Sequence, residues 1–388
     1  MDIRDVAGRY SDYVIEMRRY FHRHPELSKQ EYETAKVIRG ELDKMGIPWI
    51  VCGGETGTLA TIEGAKPGRT ILLRGDMDAL PVVEKTGAEY ASEVEGVMHA
   101  CGHDCHISML LTAAHILSDM KDELCGTVKL AFQPAEEAAF GAKAMAEEGA
   151  AEGVDGCFGM HIWSELPSGT VACPAGPIMA GAHEFKINIT GRGGHGAHPE
   201  LCIDPIVASA AVIENLQHIT SREMSPLQPV VVTVGKIESG TRFNIIPDTA
   251  YMEGTMRCFD MGLYESLPGI IEERARAAAE ANRTKLDYEN IELCPPVVND
   301  EEMSAVATGA VAKIMGSDAS IQGDLTMGGE DFAWMMKRVP GAMALLGTRN
   351  EEKGCVHPQH SDHYCVDEEV LIKGAMLYAQ IALDFNAK

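Results

Sequence analysis

Eight consecutive residues, His99–His106, bring together an unusual number of side chains that could do chemistry. The segment reads HACGHDCH and holds three imidazoles, two thiols and one carboxylate, directly before a long apolar run. Thiolate and imidazole are ligands that zinc and similar divalent metals prefer. A buried loop whose polar groups only satisfy one another is the alternative interpretation. The density of ligand-type side chains favours half of a metal site, and the other half must come from elsewhere in the chain.

Further ligand-type side chains recur beside predicted strands and in a late loop. They are Glu136 and Glu137 after an apolar strand, His161 within the next strand, and His357, His360 and His363 in the loop. Two-metal hydrolytic sites need several protein ligands and a carboxylate that does not bind metal and can take a proton from water. Adjacent residues at an extended strand end point to opposite sides, so we expect one glutamate to bind metal and the other to be a general base.

Strands and helices alternate through the first half of the chain, which is typical of an α/β domain with a largely parallel sheet. A buried strand ends at Arg74, another begins at Gly126, and a helix apolar nearly all round runs from Ile107. Functional side chains of such sheets collect beyond the carboxyl ends of the strands. The candidates Asp78 and His161 both fall at or just past such ends.

The pattern changes at about Gly181, where the order strand-helix-strand-strand-helix-strand predicts a ferredoxin-like unit. The α/β pattern resumes after Cys294. A chain of 388 residues also exceeds the size at which one core usually stops growing. We therefore expect residues 1–180 and 295–388 to form one domain, interrupted by a second domain over 181–294.

Composition excludes several classes of function. The formal net charge is 33 − 58 = −25, which repels nucleic acid and anionic membranes. No apolar run approaches the roughly 20 residues that a membrane span needs. The eleven cysteines are scattered without a C-x-x-C pair, and the first residues lack an apolar signal core. These features predict a cytoplasmic protein without a disulfide framework.

Eight motifs, in order over nearly the whole chain, resemble the metal-dependent amidohydrolases and aminoacylases of the M20 peptidase group. The resemblance is to the branch with hippurate hydrolases, auxin-conjugate hydrolases and N-acetyldiaminopimelate deacetylases. The motifs are FHRHPELS (21–28), LRGDMDALP (73–81), MHACGHDCH (98–106), FQPAEE (132–137), GMHIW (159–163), GRGGHGAHP (191–199), NIIPDTAYMEGTMR (244–257) and GEDF (329–332). The resemblance implies an α/β catalytic domain of the zinc-peptidase type, with a mixed, largely parallel sheet, and an inserted lid domain that usually mediates dimerisation.

The resemblance also implies two divalent metal ions per subunit, zinc or manganese, with cobalt or nickel as further candidates. The implied metal ligands are Cys101, His103, Glu137, His161 and His360. Glu136 is then the general base, and Asp78 is the carboxylate that orients a ligand, a role such sites generally need. In the resembled family, the spacing to an aromatic residue, here Tyr364, selects His360 within its loop. The family more usually has an Asn-Pro or His-Pro pair just after this histidine, whereas Ser361 and Asp362 follow here, and His357-Pro358 offers an alternative.

Three residues of the inserted domain match positions that face the substrate in the resembled family. His195, in a glycine-rich loop, is implied to reach the active site of a second subunit and to donate a hydrogen bond to the developing oxyanion. An exposed turn histidine is the alternative. Asn244 and Arg257 are implied substrate-binding residues, arginine being suited to bidentate capture of a carboxylate. Arg257 could equally form an interdomain salt bridge.

Four other polar residues in or near the motifs are expected to support the structure and not to bind metal or substrate. Asp331 is expected to cap the helix that follows it. His99, Cys105 and His106 are expected to pack near the metal site without binding metal, with His106 as a supporting residue.

The predicted function is hydrolysis of the amide bond of N-acyl-L-amino acids by a homodimer or higher homo-oligomer. One alternative is a dipeptidase or carboxypeptidase on the same scaffold. Another is a metal-binding protein without turnover, against which the presence of both the base and every ligand type argues. A structural zinc site is disfavoured because the ligands do not cluster in paired knuckles.

Overall fold

The computed structural model describes residues 1–387 of the chain. Its α-helices are α1 (Ile3–Ala7), α2 (Ser11–Arg23), α3 (Tyr32–Met45), α4 (His103–Asp119), α5 (Gly141–Glu147), α6 (Pro205–His218), α7 (Met261–Ala281), α8 (Glu301–Met315), α9 (Ala333–Met336) and α10 (Leu371–Asn386). Its strands are β1 (Trp49–Val51), β2 (Thr58–Glu63), β3 (Lys66–Asp76), β4 (Cys125–Gln133), β5 (Gly156–Pro167), β6 (Val171–Ala172), β7 (Gly176–Met179), β8 (Gly181–Thr190), β9 (Gly194–His195), β10 (Val230–Ser239), β11 (Ile245–Ile246), β12 (Thr249–Cys258), β13 (Lys285–Cys294), β14 (Val297–Asn299), β15 (Ser320–Ile321) and β16 (Gly341–Arg349). No helix within the described range combines the length and the apolar character needed to cross a bilayer.

The chain divides into two units. Unit 1 comprises Met1–Ile178, Val298–Asp324 and the chain from Asp331 onward, and unit 2 comprises Met179–Val297 together with Leu325–Glu330. The predicted inserted segment, 181–294, lies within the long part of unit 2. The short return of the chain over Leu325–Glu330 was not anticipated, because a six-residue loop carries no domain signal of its own.

Unit 1 is built on an eight-stranded sheet with the order β1-β2-β4-β3-β5-β16-β6-β15. The four central strands, β4, β3, β5 and β16, are parallel to one another. Strands β1 and β2 add antiparallel pairings at one edge, and β6 runs antiparallel to β16. The apolar run Ile71–Leu73 is fully buried on β3, as expected for a central strand covered on both faces. The prediction of an α/β fold with a mixed, largely parallel sheet is confirmed.

Helix α4 is the buried centre of unit 1 and carries part of the chemistry. Every residue from His103 to Ala114 is buried, and α2 and α10 both pack against the helix. The sequence predicted a helix from Ile107, but the helix begins four residues earlier. It does so because Gly102 takes a left-handed φ of 87°, which turns the chain directly into the first helical turn. The histidine at the start of α4 is therefore held by a rigid element.

Unit 2 contains a four-stranded antiparallel sheet with the order β10-β12-β8-β13. Helices α6 and α7 share one apolar core with this sheet. The Asp204 carboxylate accepts from Ile206 N–H at 2.8 Å and caps α6. The chain order and strand order are those of the predicted ferredoxin-like α+β unit. A separate short ribbon pairs β9 with β11.

Candidate metal centre

Unit 1 brings the five predicted metal ligands into one group. Cys101 immediately precedes the left-handed glycine, His103 opens α4, His161 lies on β5, and the other two ligands lie in loops. The Cys101 Sγ atom is 3.5 Å from His161 Nε2, and His360 Nε2 is 3.4 Å from Glu137 Oε1. Ligand atoms of Cys101, His103 and Glu137 all lie within 4.8 Å of one another. The group thus combines one thiol, three imidazoles and a carboxylate.

The ring of His103 is fixed so that one nitrogen faces the group. Its Nδ1–H donates to Asp78 Oδ1 at 3.2 Å. Its Nε2 is buried and has no hydrogen-bond partner among the described residues. Carboxylate oxygens surround Nε2 just beyond hydrogen-bonding distance, at 3.5 Å for Asp76, 3.9 Å for Glu137 and 4.0 Å for Glu136. A buried ring nitrogen without a hydrogen-bond partner, surrounded by carboxylates and a thiol, fits a divalent cation that takes the place of its proton.

The electrostatics of the group also favour positive charge at this position. Burial alone would lower the pKa of His103, but the carboxylates of Asp76 and Asp78 raise it to about 10. Burial, together with the negative charges of Glu137 and Glu136, raises the pKa of the Cys101 thiol well above its usual range. A cation bound here would offset that negative field and stabilise the thiolate.

His106 also faces this region, but both of its ring nitrogens already have hydrogen-bond partners. Its Nδ1–H donates to Asp76 Oδ1 at 2.5 Å, and its Nε2 accepts from Ile162 N–H at 2.9 Å. Burial lowers the pKa of His106 to about 3, so the ring is neutral, as this pair of bonds requires. His106 therefore anchors the backbone next to His161, whose own Nδ1–H donates to Ile162 O at 2.6 Å.

Asp78 ties His103 to the segment that carries the two glutamates. Besides His103, it accepts from the backbone N–H groups of Glu136 at 3.1 Å and Glu137 at 3.0 Å. It also accepts from the Ser28 hydroxyl at 2.6 Å. One carboxylate thus orients a metal-facing imidazole and the adjacent glutamates together.

The two glutamates lie in a turn and not on an extended strand end, which corrects the reasoning used for their separate roles. Strand β4 ends at Gln133, and the chain then turns through Ala135, a non-glycine residue with a left-handed φ of 51°. The buried Glu31 carboxylate accepts from Ala135 N–H at 2.8 Å and holds the turn. Both carboxylates lie about 4 Å from His103 Nε2, and Glu137 Oε1 also contacts His360 Nε2 at 3.4 Å.

The C-terminal loop presents His360 from a strained backbone. His360 has φ 67°, and its N–H donates to Ala100 O at 2.8 Å, next to Cys101. The hydrogen bond with Glu137 raises the pKa of His360. The other two histidines of the loop, His357 and His363, pack against each other with ring centroids 5.4 Å apart.

The peptidase family M20/M25/M40 model matches residues 72–384, which include every element of this group. The chain belongs to this family. The M20 chain is 42% identical to thermostable carboxypeptidase 1 of Saccharolobus solfataricus, over 100% of this chain and 98% of that protein. It is 40% identical to IAA-amino acid hydrolase ILR1-like 2 of Arabidopsis thaliana (96% and 85% covered) and 38% identical to N-acetylcysteine deacetylase of Bacillus subtilis (95% and 96%).

A solved structure supports the same assignment. The YXEP protein of Bacillus subtilis, described as a dinuclear metal binding peptidase from M20 family, superposes with a TM-score of 0.85 at 35% identity, covering 97% of this chain and 98% of that one. The M20 chain is therefore a member of a family of metal-dependent amidohydrolases and peptidases.

Unit 2 of the M20 chain holds the other three predicted site residues. His195 lies on β9, opposite Ile245 of β11, and is exposed. Its Nδ1 accepts from Ala197 N–H at 3.0 Å, so in the neutral ring the proton is on Nε2. The carbonyl of exposed Asn244 accepts from Gly196 N–H at 2.9 Å, which places Asn244 beside the His195 loop.

Arg257 lies apart from this pair, on β12, and donates from Nη1 to Met327 O at 3.1 Å. Within unit 2 its observed hydrogen bond is thus to a backbone carbonyl.

Several residues that organise the centre were missed or misassigned from the sequence. Asp331 does not cap the helix after it; its carboxylate accepts from Ala142 N–H at the start of α5 (3.0 Å) and from Gln133 (2.6 Å). Buried Arg74 pairs with Asp76 at 2.8 Å and with Asp331 at 3.3 Å. The available signal was a charged residue directly after the apolar run of a central strand, where burial requires a partner.

Proposed function

We propose that this protein hydrolyses the amide bond of N-acyl-L-amino acids at the centre formed by unit 1. The observation that carries the proposal is the placement of a thiol, imidazoles and two adjacent glutamates around His103 Nε2. Cys101, His103, Glu137, His161 and His360 are the proposed ligands of two divalent ions, zinc or manganese. Bound there, the ions polarise the scissile carbonyl and lower the pKa of water.

Glu136 acts as the general base in this proposal. Its Oε2 lies 4.0 Å from His103 Nε2, at the edge of the ligand group. Glu136 accepts a proton from the attacking water and passes it to the nitrogen of the leaving amino acid. Asp78 fixes the position of Glu136 relative to His103, because it accepts hydrogen bonds from the Glu136 backbone N–H and from the His103 ring.

His195 is proposed to donate a hydrogen bond to the oxyanion that develops on the substrate carbonyl. The hydrogen bond from Ala197 N–H to Nδ1 supports this role, because it leaves Nε2–H as the outward donor. Asn244 and Arg257 are proposed to bind the substrate, with Arg257 capturing its carboxylate.

The Glu136→Gln variant tests the base directly. It should keep its metal and lose about 10²–10⁴-fold in kcat, the usual contribution of a general base. The matched Glu137→Gln variant should instead lose metal, measured by elemental analysis after dialysis. A Glu136→Gln enzyme of wild-type activity would refute the assignment.

A substrate panel separates the proposed activity from its alternative. N-acyl amino acids and dipeptides with free amino termini should be compared on protein reconstituted with zinc or manganese. The similarity to a thermostable carboxypeptidase favours peptide cleavage as the second candidate. Preferential turnover of free dipeptides would replace the first proposal by the second.

His195 is proposed to act in the active site of a second subunit, so the functional enzyme is a homodimer. Large apolar side chains exposed on unit 2 support self-association through this unit: Leu201, Ile206, Val207, Ile237 and Phe243. Heterodimers of His195→Ala and Glu136→Gln should recover activity that neither variant has alone, because one of their two sites is intact. Confirmed heterodimers without activity would contradict sharing.

A further inference from the structure

Two cysteines bracket the loop that carries His360. Cys355 and Cys365 stand at equal distances in sequence on either side of it. At the base of the loop, Asn350 and Cys355 exchange two backbone hydrogen bonds of 2.9 Å each. The Cys365 thiol reaches back to this turn and donates to Gly354 O at 3.4 Å, while the Cys355 thiol donates to Lys353 O at 3.9 Å in the same turn. The base of the loop therefore brings two free thiols against the carbonyls of adjacent residues, Lys353 and Gly354.

The two thiols have different environments. Cys355 is buried, whereas Cys365 is half-buried and, with Cys125, one of two cysteines of the eleven that are not fully buried. The interaction with the Cys355 thiol lowers the pKa of the Cys365 thiol to about 7, and the charge of Arg18 acts in the same direction against the effect of burial. The same interaction and burial raise the pKa of Cys355. Near neutral pH, Cys365 is the accessible thiolate and Cys355 the protected thiol.

We propose that Cys365 and Cys355 form a reversible redox site at which a hydroperoxide produces a disulfide across the base of the His360 loop. The Cys365 thiolate attacks the terminal oxygen of the hydroperoxide; the S–O bond forms, the O–O bond breaks, and hydroxide leaves from hydrogen peroxide or alkoxide from an organic hydroperoxide. The Cys355 thiol then attacks the sulfenic sulfur; the S–S bond forms, the S–O bond breaks, and water leaves. The two thiols together give two electrons to the peroxide, and a dithiol reductant reverses the change.

The disulfide restrains the loop that holds the last proposed metal ligand. A closed ring over residues 355–365 leaves His360 fewer conformations when it detaches from metal, so rebinding is favoured. This consequence, unlike the disulfide itself, rests on the proposed role of His360. We expect the oxidised protein to release metal to a chelator about tenfold more slowly than the reduced protein.

The experiment uses the zinc-loaded protein, because zinc does not react with peroxide by redox chemistry. After graded exposure to hydrogen peroxide, free thiols are alkylated and peptides are mapped without reduction. The wild type should yield a Cys355–Cys365 linked peptide before Cys125 is modified. Cys355→Ser should leave a sulfenic acid at Cys365 that dimedone traps. Cys365→Ser should leave Cys355 unmodified, and the control Cys125→Ser should behave like the wild type.

The proposal is overturned if the linked peptide is not formed, or if Cys125 reacts as fast as Cys365. Zinc release is measured separately, with a chromogenic chelator, on oxidised and reduced wild type. Equal release rates in protein that has formed the disulfide would overturn the coupling to His360. The linked peptide is expected whether or not the protein has the proposed hydrolase activity. A negative activity assay and a missing linked peptide therefore refute different proposals.

Discussion

Replacing Asp78 by asparagine removes one oxygen without changing the size of the side chain. Oδ1 accepts from His103 Nδ1–H and Glu136 N–H, and Oδ2 accepts from Ser28 and Glu137 N–H. In either orientation, the asparagine NH₂ group must face a backbone N–H. The orientation that replaces Oδ2 is the milder one, because the Ser28 hydroxyl can rotate to accept a hydrogen bond, whereas Glu137 N–H cannot.

The expected cost follows from the bonds that this orientation loses. A hydrogen bond to a charged group contributes about 1.5–3 kcal/mol, and a buried donor left unpaired costs about 1–3 kcal/mol. We therefore expect Asp78→Asn to lower the free energy of unfolding by about 2–5 kcal/mol. Loss of the carboxylate that orients His103 should weaken metal binding by about 10–100-fold.

Denaturant unfolding of the metal-free protein and metal titration by calorimetry measure the two effects separately. Ser28→Ala is the matched control: it removes one of the four bonds and leaves both backbone N–H groups paired. Its cost should be about 1.5–3 kcal/mol, the contribution of one hydrogen bond to a charged group, without the added cost of an unpaired backbone N–H. If Asp78→Asn unfolds at the denaturant concentration of the wild type and binds metal equally well, Asp78 does not organise the centre as its contacts indicate.

Substitutions at three further positions, His106, Gly102 and Glu84, test the surroundings of the centre. His106→Gln, whose amide oxygen can still accept from Ile162 N–H, should bind metal more tightly than His106→Leu in equilibrium dialysis; the reverse order would refute the anchoring role. Gly102→Ala should lower stability by about 2 kcal/mol or more, because its φ is 87° and the new Cβ would lie 2.2 Å from Ile162 Cδ1; an unchanged Tm would contradict this. Burial opposes the charge of Glu84, but hydrogen bonds from an imidazole, a backbone amide and a hydroxyl lower its pKa to about 2. The ionised Glu84 carboxylate therefore stabilises the fold fully above about pH 4.5, and this contribution is lost as the pH falls through about 2. Glu84→Gln should therefore reduce the loss of unfolding free energy between these pH values. The control Glu89→Gln, at an exposed position, should leave that loss as it is in the wild type.

The sequence predicted those features of the fold that depend on local pattern. The apolar run Ile71–Leu73 and the all-round apolar helix after His106 indicate buried elements by themselves, and both are buried. The turn after β4 was missed, because it depends on Glu31, whose partner Ala135 is about a hundred residues away. Asp331 was assigned to the wrong helix for the same reason.

The histidines of the opening motif show where sequence reasoning ends. His99, His103 and His106 lie within eight residues of one another and are all buried. Burial lowers the pKa of His99 to about 4, whereas carboxylates contributed by other segments raise that of His103 to about 10. The residue types and spacing predict that metal chemistry occurs here, but only the folded environment distinguishes the three rings.

The position of β16 in the sheet has a consequence for biosynthesis. Gly341–Arg349 lies between β5 and β6, so nearly the whole chain must leave the ribosome before the sheet of unit 1 can close. The long part of unit 2, Met179–Val297, is synthesised well before that point and can fold earlier. Until β16 arrives, the nascent chain presents the unpaired edge of β5, and premature termination between β5 and β16 leaves that edge permanently open to pairing with other chains.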